Sequence, residues 1–455
     1  MTTTYSPPTR VPVPRRRWTG VTWLLATSSI LIVVVLWLVD GGIHGSPATS
    51  AGRLTGLVAS DLLLIQVLLM ARIPWVERGF GQDALARGHR LVGFTSFWLM
   101  MLHVVLITVG YAGDGRTGLV REAWDLVRTY PGMLLAVAGT GLLVLVVVLS
   151  VRAARRRQRY ETWHLIHLYA YLGVGLALPH QLWTGADFVT SAPARWYWWG
   201  LYAGTLGAVL VFRVGLPAWR SVYHRLRVDT VVPEAPGVVS VYLRGHRLDR
   251  LPVRAGQFFL WRFLDGPGWS RAHPYTLSAA PGRDLLRITV KDLGDGSGRV
   301  ARLRTGTRVL IEGPYGALTA DRRTGHKALL IAAGVGITTM RALLDDLAPV
   351  PGSVTLLYRI RRYEEAVFRI ELDRLARHFG VRVVYLEGGR QRHGSWLPVR
   401  YGGLSDVEAL LWMVPDVADR EVFLCGPPPW MATVRSTLRE AGVGPDRVHA
   451  EEFAW

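Results

Sequence analysis

Residues 89–110 read HRLVGFTSFWLMMLHVVLITVG. Arg90 is the one permanently charged residue in this stretch, which otherwise has the composition of a bilayer span but carries two histidines, His89 and His103. A helix of this length crosses about 30 Å of hydrocarbon. Ionisable side chains at that depth are costly and mark function by default, and neutral imidazole is an axial ligand of haem iron. His89 and His103 are 14 residues apart, which is about 21 Å along a helix and about 40° from a common face.

A second histidine-bearing run lies at 164–180, HLIHLYAYLGVGLALPH. His167 and His180 are 13 apart, a rise of about 19–20 Å but a rotation of about 140°. Pro179, with Gly173 and Gly175 upstream, supplies a bend that can re-aim His180. The two runs are the third and fifth spans and run in the same direction. His89 then pairs with His167 near the cytoplasmic side and His103 with His180 near the outer side, giving two stacked bis-histidine b-type haems. A single histidine on an apolar helix reads as a satisfied core or interfacial residue; two matched pairs favour haem. His164 reads as a neighbouring polar group or propionate contact, and His44 and His224 as loop or interface residues.

Six windows are long and apolar enough to cross a bilayer: 21–39, 54–71, 90–110, 132–151, 162–180 and 196–216. The chain has 455 residues and a net charge of +19, and much of its arginine sits at the ends of these windows, as at Arg15–Arg17, Arg87, Arg90, Arg155–Arg157 and Arg225. That placement reads as membrane topology, and no groove-reading helix or base-stacking sheet accompanies it. The positive-inside rule puts the N-terminus and everything after 216 in the cytoplasm, with the chain in the cell membrane. The first window follows the pattern of a signal peptide as well, but its apolar run is longer than a typical h-region and reads as a retained helix. Cys425 is the only cysteine. That excludes an internal disulfide and a four-cysteine iron–sulfur cluster, so any electron relay uses haem or flavin.

After Arg227 the pattern changes to short β-rich runs, Val238–Leu243, Phe258–Phe263, Leu286–Val290 and Arg308–Ile311, which predict a strand-rich barrel. From Lys327, strands and helices alternate: Ala328–Ala332, a helix to Leu347, Ser353–Tyr358, a helix over Glu364–Phe379, Val381–Leu386 and Glu421–Leu424. That is a doubly wound nucleotide-binding pattern. The expected organisation is a cytosolic segment (1–20), a six-helix di-haem membrane bundle (21–218), a β-barrel FAD domain (219–322) and an α/β NAD(P)H domain (323–455).

His273-Pro274-Tyr275-Thr276-Leu277-Ser278 resembles the flavin signature of the ferric reductase and NADPH oxidase superfamily. Tyr275 offers a ring to the isoalloxazine, and Thr276 and Ser278 offer hydroxyls and backbone donors. Ala255-Gly256-Gln257-Phe258 precedes it at a spacing typical of that family. Asp295-Gly296-Ser297-Gly298 predicts a helix start whose amides hold the FAD pyrophosphate. Gly313-Pro314-Tyr315-Gly316 resembles the turn that closes the family's flavin domain. Gly334-Val335-Gly336-Ile337-Thr338 follows a strand and opens a helix, where glycines let the backbone approach a dinucleotide phosphate. The family usually has Thr-Pro here, whereas this chain has Thr338-Thr339, a change expected to alter the helix start and leave binding intact. Cys425-Gly426-Pro427 resembles the motif beside the nicotinamide. Arg359, Arg361 and Arg362 follow the second strand of this fold, where a 2′-phosphate would lie, and favour NADPH over NADH; a solvated charge run is the competing reading. Relatives place a C-terminal aromatic over the flavin, which points to Phe453 or Trp455.

The resemblance implies hydride transfer from NADPH to FAD, then single-electron steps through the inner and outer haems to an external acceptor. That acceptor is oxygen, as in NADPH oxidases, or ferric chelate, as in ferric reductases. The alternatives are a quinone, a periplasmic redox protein, or a non-enzymatic haem or redox sensor.

Overall fold

The computed structural model describes residues 15–43, 45–113, 118–151, 160–294, 296–347, 352–391 and 394–451. The chain forms two compact units, one built mainly of residues 16–211 and the other from Phe212 onward with the short segment Glu77–Asp83.

The first unit is helical: α1 (Arg15–Val39), α2 (Pro47–Leu69), α3 (Pro74–Phe80), α4 (Gln82–Ala112), α5 (Leu119–Thr129), α6 (Met133–Ser150), α7 (Tyr160–Thr184), α8 (Ala186–Val189) and α9 (Ala192–Val209). The starts are chemically specified. Ser46 accepts the Thr49 amide at 3.1 Å ahead of Pro47, and Ser191 caps α9, whose first turn holds Pro193. Glycine sets the packing of α6 on α7: a Cβ on Gly139 would lie 2.5 Å from the Gly173 carbonyl oxygen. Much of the apolar surface points outward; Leu24, Leu91 and Leu134 are 64%, 71% and 69% exposed. On so many long helices, that is the surface of a unit solvated by lipid.

Five described helices are long and apolar enough to cross a membrane: Thr19–Val39, Pro47–Leu69, Ala84–Ala112, Met133–Ser150 and Ala192–His224. The expected fifth window is present as α7, with 25 residues, but is not among those five. Its three histidines lower its hydropathy, so the residues that single it out chemically also weaken its signal as a span. The last of the five passes through a π-helical turn, Leu210–Gly215, into α10 (Leu216–His224).

In the second unit, β1 (Arg227–Ala235), β2 (Val238–Arg244) and β5 (Leu285–Lys291) form one three-stranded antiparallel sheet in the order β1-β2-β5. β3 (Phe258–Phe263), β4 (His273–Thr276) and β6 (Val309–Tyr315) form another, ordered β4-β3-β6. Single bridges, Arg227↔Arg308 and Leu277↔Ile288, tie the two where the sequence predicts a barrel. Val241, Leu243, Phe259, Trp261 and Ile288 fill the space between them and are fully buried. Ser221 of α10 fastens to β6, accepting from the Ile311 amide at 3.0 Å and donating to its carbonyl at 3.2 Å.

The C-terminal half is a five-stranded parallel sheet. Its strands are β7 (Ala328–Ala333), β8 (Val354–Ile360), β9 (Arg382–Glu387), β10 (Glu421–Cys425) and β11 (Val448–Ala450), in the order β11-β10-β7-β8-β9. Helices α11 (Ile337–Leu347), α12 (Arg369–Phe379), α13 (Asp406–Met413) and α14 (Pro428–Glu440) connect them. Every residue of β7 and β8 is buried, as continuous apolar strands covered on both faces require. The expected helix over 364–379 begins only at Arg369. Tyr363–Glu365 forms a separate 3-10 turn, and Phe368 takes a left-handed conformation (φ 63°) that breaks helical continuity. Strand order reverses between β7 and β10, and that switch point is where open α/β sheets bind ligands.

Candidate functional site

The loops after β7 and β10 meet at the switch point. A Cβ on Gly336 would lie 2.3 Å from the Cys425 carbonyl oxygen, so only glycine lets the two loops touch. Gly334 sits at φ +56°, in the left-handed region. These loops open into a cleft of about 880 Å³, lined by Gly334, Val335, Arg361, Arg390, Trp396 and Pro427 among others. Thr338 is buried, and its hydroxyl donates to the Val335 carbonyl at 2.9 Å, closing the turn ahead of α11. Thr339, which stands where the family has proline, is fully buried 3.9 Å from the Cys425 sulfur. Burial pushes the Cys425 thiol up to about 12, so no thiolate forms there at neutral pH. The side chain belongs to the core, and of the Cys425-Gly426-Pro427 segment Pro427 lines the cleft.

The three predicted arginines separate in role. Arg359 is buried and spends its guanidinium on backbone carbonyls, Gly389 at 3.0 Å, Leu386 at 3.2 Å and Ile360. Burial, and then the like charges of Arg390, Arg361 and Arg400, push its pKa down. Arg362 pairs with Glu365 at 2.9 Å. Arg361 and Arg390 line the cleft, are exposed and have no ion pair among the described residues. Sequence reasoning missed Arg390. Its signal was positional: a basic residue just past β9, the strand beside β8.

On the flavin side, β4 lies against β3 with Tyr275 opposite Phe259 and Pro274 opposite Leu260. Trp261 Nε1 donates to the Tyr275 carbonyl at 2.9 Å, which fixes the strand. The His273 and Tyr275 rings are nearly parallel (14°), 6.0 Å apart. Burial raises the Tyr275 phenol above its ordinary range. Thr276 is buried. Ser278 is fully buried and its hydroxyl accepts from Thr289 at 2.7 Å, in a chain that continues to Ser240.

The helix expected at Asp295–Gly298 is not formed. Gly296–Gly298 are a turn followed by the short 3-10 segment Val300–Arg302, and Asp295 lies outside the described residues. The Ser297 hydroxyl accepts the Leu293 amide at 2.8 Å and donates to the Gly294 carbonyl at 3.0 Å, satisfying the loop locally. The absence of a side chain at Gly296 makes room for the His273 ring, since a Cβ there would come within 2.3 Å of it. The segment Gly313–Gly316, predicted as a turn, is instead the end of β6, with Gly316 just after it. It is tied to the segment before β3, where Gln257 Nε2 donates to the Gly316 carbonyl at 3.1 Å, and Arg220 donates to the Gly313 carbonyl. Gly313 lies at φ +136° and Gly316 at +94°. A Cβ on Gly316 would lie 2.9 Å from Glu451 Oε1, so the C-terminal segment reaches this strand end. Phe453 and Trp455, the candidate stacking residues, lie outside the described residues.

An ionic latch joins the flavin-side strands to the parallel sheet's helices. Arg287 of β5 holds Glu371 of α12 with two bonds, at 2.5 and 3.1 Å, and donates to the Ser278 carbonyl at 2.6 Å. Arg341 bridges Glu371 at 2.6 Å to Asp345 at 2.7 Å, and Asp345 accepts the Ala280 amide at 2.9 Å. Burial pushes the Glu371 carboxyl up, but the Arg287 and Arg341 guanidinium groups outweigh it and hold the carboxyl below the usual glutamate range. A depressed native pKa stabilises above the unfolded value of about 4.3, and that contribution is lost as pH falls through the native value. Glu371→Ala, which strands a buried guanidinium, should cost on the order of 3 kcal/mol. In thermal melts the gap from wild type should narrow below about pH 4; a gap that ignores pH would mean the pair contributes packing alone.

In the first unit one of the two expected histidine pairs is in ring contact. The His89 and His167 rings are 5.9 Å apart at 66°, and His103 lies in electrostatic range of His180. Nδ1 of His89 bonds the Gln66 carbonyl at 3.1 Å, and Nδ1 of His103 the Gly52 carbonyl at 2.8 Å. Nδ1 of His180 faces the Ala177 carbonyl, and Nδ1 of His167 the Ser150 hydroxyl at 3.4 Å. A carbonyl at Nδ1 fixes the tautomer and leaves Nε2 as the free ligand nitrogen, the arrangement that supports metal-bound histidine. Gly56 makes room for the His103 ring, which a Cβ there would approach to 2.5 Å. Among the described residues no cluster of three or more His, Cys, Asp or Glu offers a different metal site.

The fold and the site define a helical membrane unit joined to a two-part FAD- and NAD-binding reductase. Residues 55–178 match the ferric reductase like transmembrane component family. The reductase half is 33% identical over 236 residues to the stachydrine N-demethylase reductase subunit Stc4 of Rhizobium meliloti, covering 50% of this chain and 66% of that protein. It is 30% identical to the NADH oxidoreductase HCR of Escherichia coli, covering 50% of this chain and 67% of that one. The flavohem-like FAD/NAD-binding domain of nitric oxide dioxygenase from Vibrio cholerae aligns with 26% identity over 50% of this chain and 98% of its own, with a TM-score of 0.40. The chain thus joins a segment that matches the ferric reductase like transmembrane component family to a half similar to reductase subunits and NADH oxidoreductases. The alignment spans about half of this chain and just under two thirds of the first of these relatives.

Proposed function

We propose that this chain is a transmembrane oxidoreductase that carries electrons from NADPH, or NADH, to an acceptor across the bilayer through FAD and two b-type haems. The observation that supports the reading is the contact of the His89 and His167 rings, 5.9 Å apart inside an apolar helical unit, with His103 in electrostatic range of His180. The unit crosses the membrane six times in this reading, α7 joining the other five as the fifth span in chain order, and sits in the cell membrane with the reductase half cytoplasmic by the arginine placement. When bound, FAD takes the two electrons of a hydride and releases them singly, which haem iron can accept. Tyr275 and His273 offer the ring wall for the flavin. Gly296 and Ser297 of the loop before Val300, and Gly313 in β6, are the further residues assigned to the flavin side in this reading. Gly334, Gly336, Gly426 and Pro427 form the backbone rim for the nicotinamide nucleotide. The acceptor is oxygen or a ferric chelate. Offering oxygen, ferric chelate and a quinone separately to purified protein with NADPH tests this. Turnover with quinone alone would move the acceptor into the membrane, and none with any acceptor in fully loaded protein would point to a sensor.

In this reading Arg361 and Arg390 receive the 2′-phosphate, with Arg359 as the scaffold beneath them. Charge-assisted bonds contribute about 1.5–3 kcal/mol. Replacing Arg361 and Arg390 together by alanine should therefore raise the NADPH KM by about tenfold or more and leave NADH nearly unchanged. Equal losses for both cofactors would make the pair a generic electrostatic feature.

The C-terminal aromatic is Phe453, with Trp455 as its rival. Glu451 beside Gly316 supports a tail that reaches the end of β6. Phe453→Ala should change the flavin spectrum and hydride-transfer rate in stopped flow without removing haem. If neither Phe453→Ala nor Trp455→Ala changes spectrum, rate or cofactor preference, the tail is packing only.

A further inference from the structure

Asp61 lies on α2, inside one of the five candidate spans, and is fully buried. Its Oδ1 accepts from the Ser29 hydroxyl of α1 at 2.6 Å and from the Tyr197 hydroxyl of α9 at 3.1 Å. Those two hydroxyls are 2.8 Å apart, and Tyr197 also lies 3.2 Å from the Ser29 carbonyl. Oδ2 is buried and has no hydrogen-bond partner among the described residues. Among the described residues Tyr197 is the titratable group that hydrogen-bonds the carboxyl, and Ser29 is the contribution of α1. The adjoining polar layer, in which Gln181 of α7 bonds Ser60 at 3.2 Å and Tyr202 at 2.8 Å, is neutral.

A carboxylate buried this deeply without a cation is strongly disfavoured, and such a group takes up a proton instead. The geometry says which oxygen holds it. Oδ1 is engaged by two donors, whereas Oδ2 meets none, so the proton belongs on Oδ2. The same two hydroxyls stabilise the anion when the proton leaves, because hydrogen bonds to a charged form favour it. A carboxyl with no such donors would be a fixed neutral group; this one is built to titrate.

We propose that Ser29, Asp61 and Tyr197 form a proton-binding site inside the membrane unit, where Asp61 rests as a neutral carboxylic acid that exchanges its proton with one side of the bilayer. The exchange is Asp61–COOH to Asp61–COO⁻ plus a proton passed to water. Electrons crossing a bilayer leave uncompensated charge in a low dielectric, and a proton entering the same interior offsets it. The proposal rests on the membrane crossing in the proposed function and not on its haems.

Infrared difference spectra of the full chain in lipid nanodiscs, recorded against pH, test the site. Wild type should show at neutral pH a protonated-carboxyl C=O band that shifts in D₂O and is absent in Asp61→Asn. Tyr197→Phe and Ser29→Ala each remove one bond to Oδ1, so the band should shift in frequency and persist to higher pH. A neutral-pH spectrum from which Asp61→Asn removes no such band overturns the proposal, as does bleaching of the band by sodium at constant pH, which would make this a cation site. Where Asp61→Asn does not fold, the other two variants decide: an unshifted band in both overturns the assignment.

Discussion

Gly336→Ala should lower kcat/KM for NADPH by about a hundredfold or more, the equivalent of about 2.7 kcal/mol. The added methyl carbon would sit 2.3 Å from the Cys425 carbonyl oxygen and 2.7 Å from its carbon. Both atoms are backbone, fixed by β10 pairing with β7 and β11. No side chain can swing away, so the loops after β7 and β10 must part. Forcing atoms into a packed site costs typically about 1–3 kcal/mol, here at the rim that the nucleotide must touch. The loss should fall on NADPH and NADH alike, which separates it from substitution of Arg361 and Arg390. Steady-state kinetics with both cofactors and a thermal melt check it. Unchanged kinetics in a folded variant would mean that the nucleotide does not bind at the switch point.

The second large effect is expected at the outer histidine pair. His103→Ala should reduce bound haem from about two per chain to about one, because bis-histidine ligation fails when one imidazole is removed. His180→Ala should do the same, and loss of the inner haem alone in either would reverse the assigned order. Gly56→Ala is the subtler form of the experiment. Its methyl would press on the His103 ring at 2.5 Å and pull Nδ1 from the Gly52 carbonyl. The ligand remains but its aim changes, and outer-site ligation should weaken accordingly. Pyridine haemochrome quantification against protein measures all three variants; a wild-type value near zero in folded, haem-supplied protein would remove the haem reading altogether.

The sequence made the histidine pairs legible because apolar surroundings isolate them and helix geometry relates their depths. Their Nδ1 partners were not legible, since the Gln66 and Gly52 carbonyls are backbone groups of a neighbouring helix. The alternation of strand and helix after Lys327 revealed the parallel sheet, with all five strands close to their expected places except the short β11, which was not foreseen. Three readings failed for local reasons. Ser297 closed its own turn where a helix was expected, Phe368 delayed α12 by its left-handed backbone, and Arg359 turned inward to three carbonyls. Side-chain direction at a strand end depends on neighbouring loops, here the one after β9, which also supplies Arg390. Asp61 was passed over because one acid in a span looks like any other until Ser29 and Tyr197 are seen to converge on one of its oxygens.

Anaerobic addition of NADPH to the purified full chain, followed by absorbance in the haem α-band region, tests the central claim most directly. Electron transfer through the reductase half into the membrane predicts that the flavin bleaches and that both haems then reduce, in amounts approaching those reached with dithionite. Flavin bleaching with haem still oxidised, while dithionite reduces it, would contradict the account.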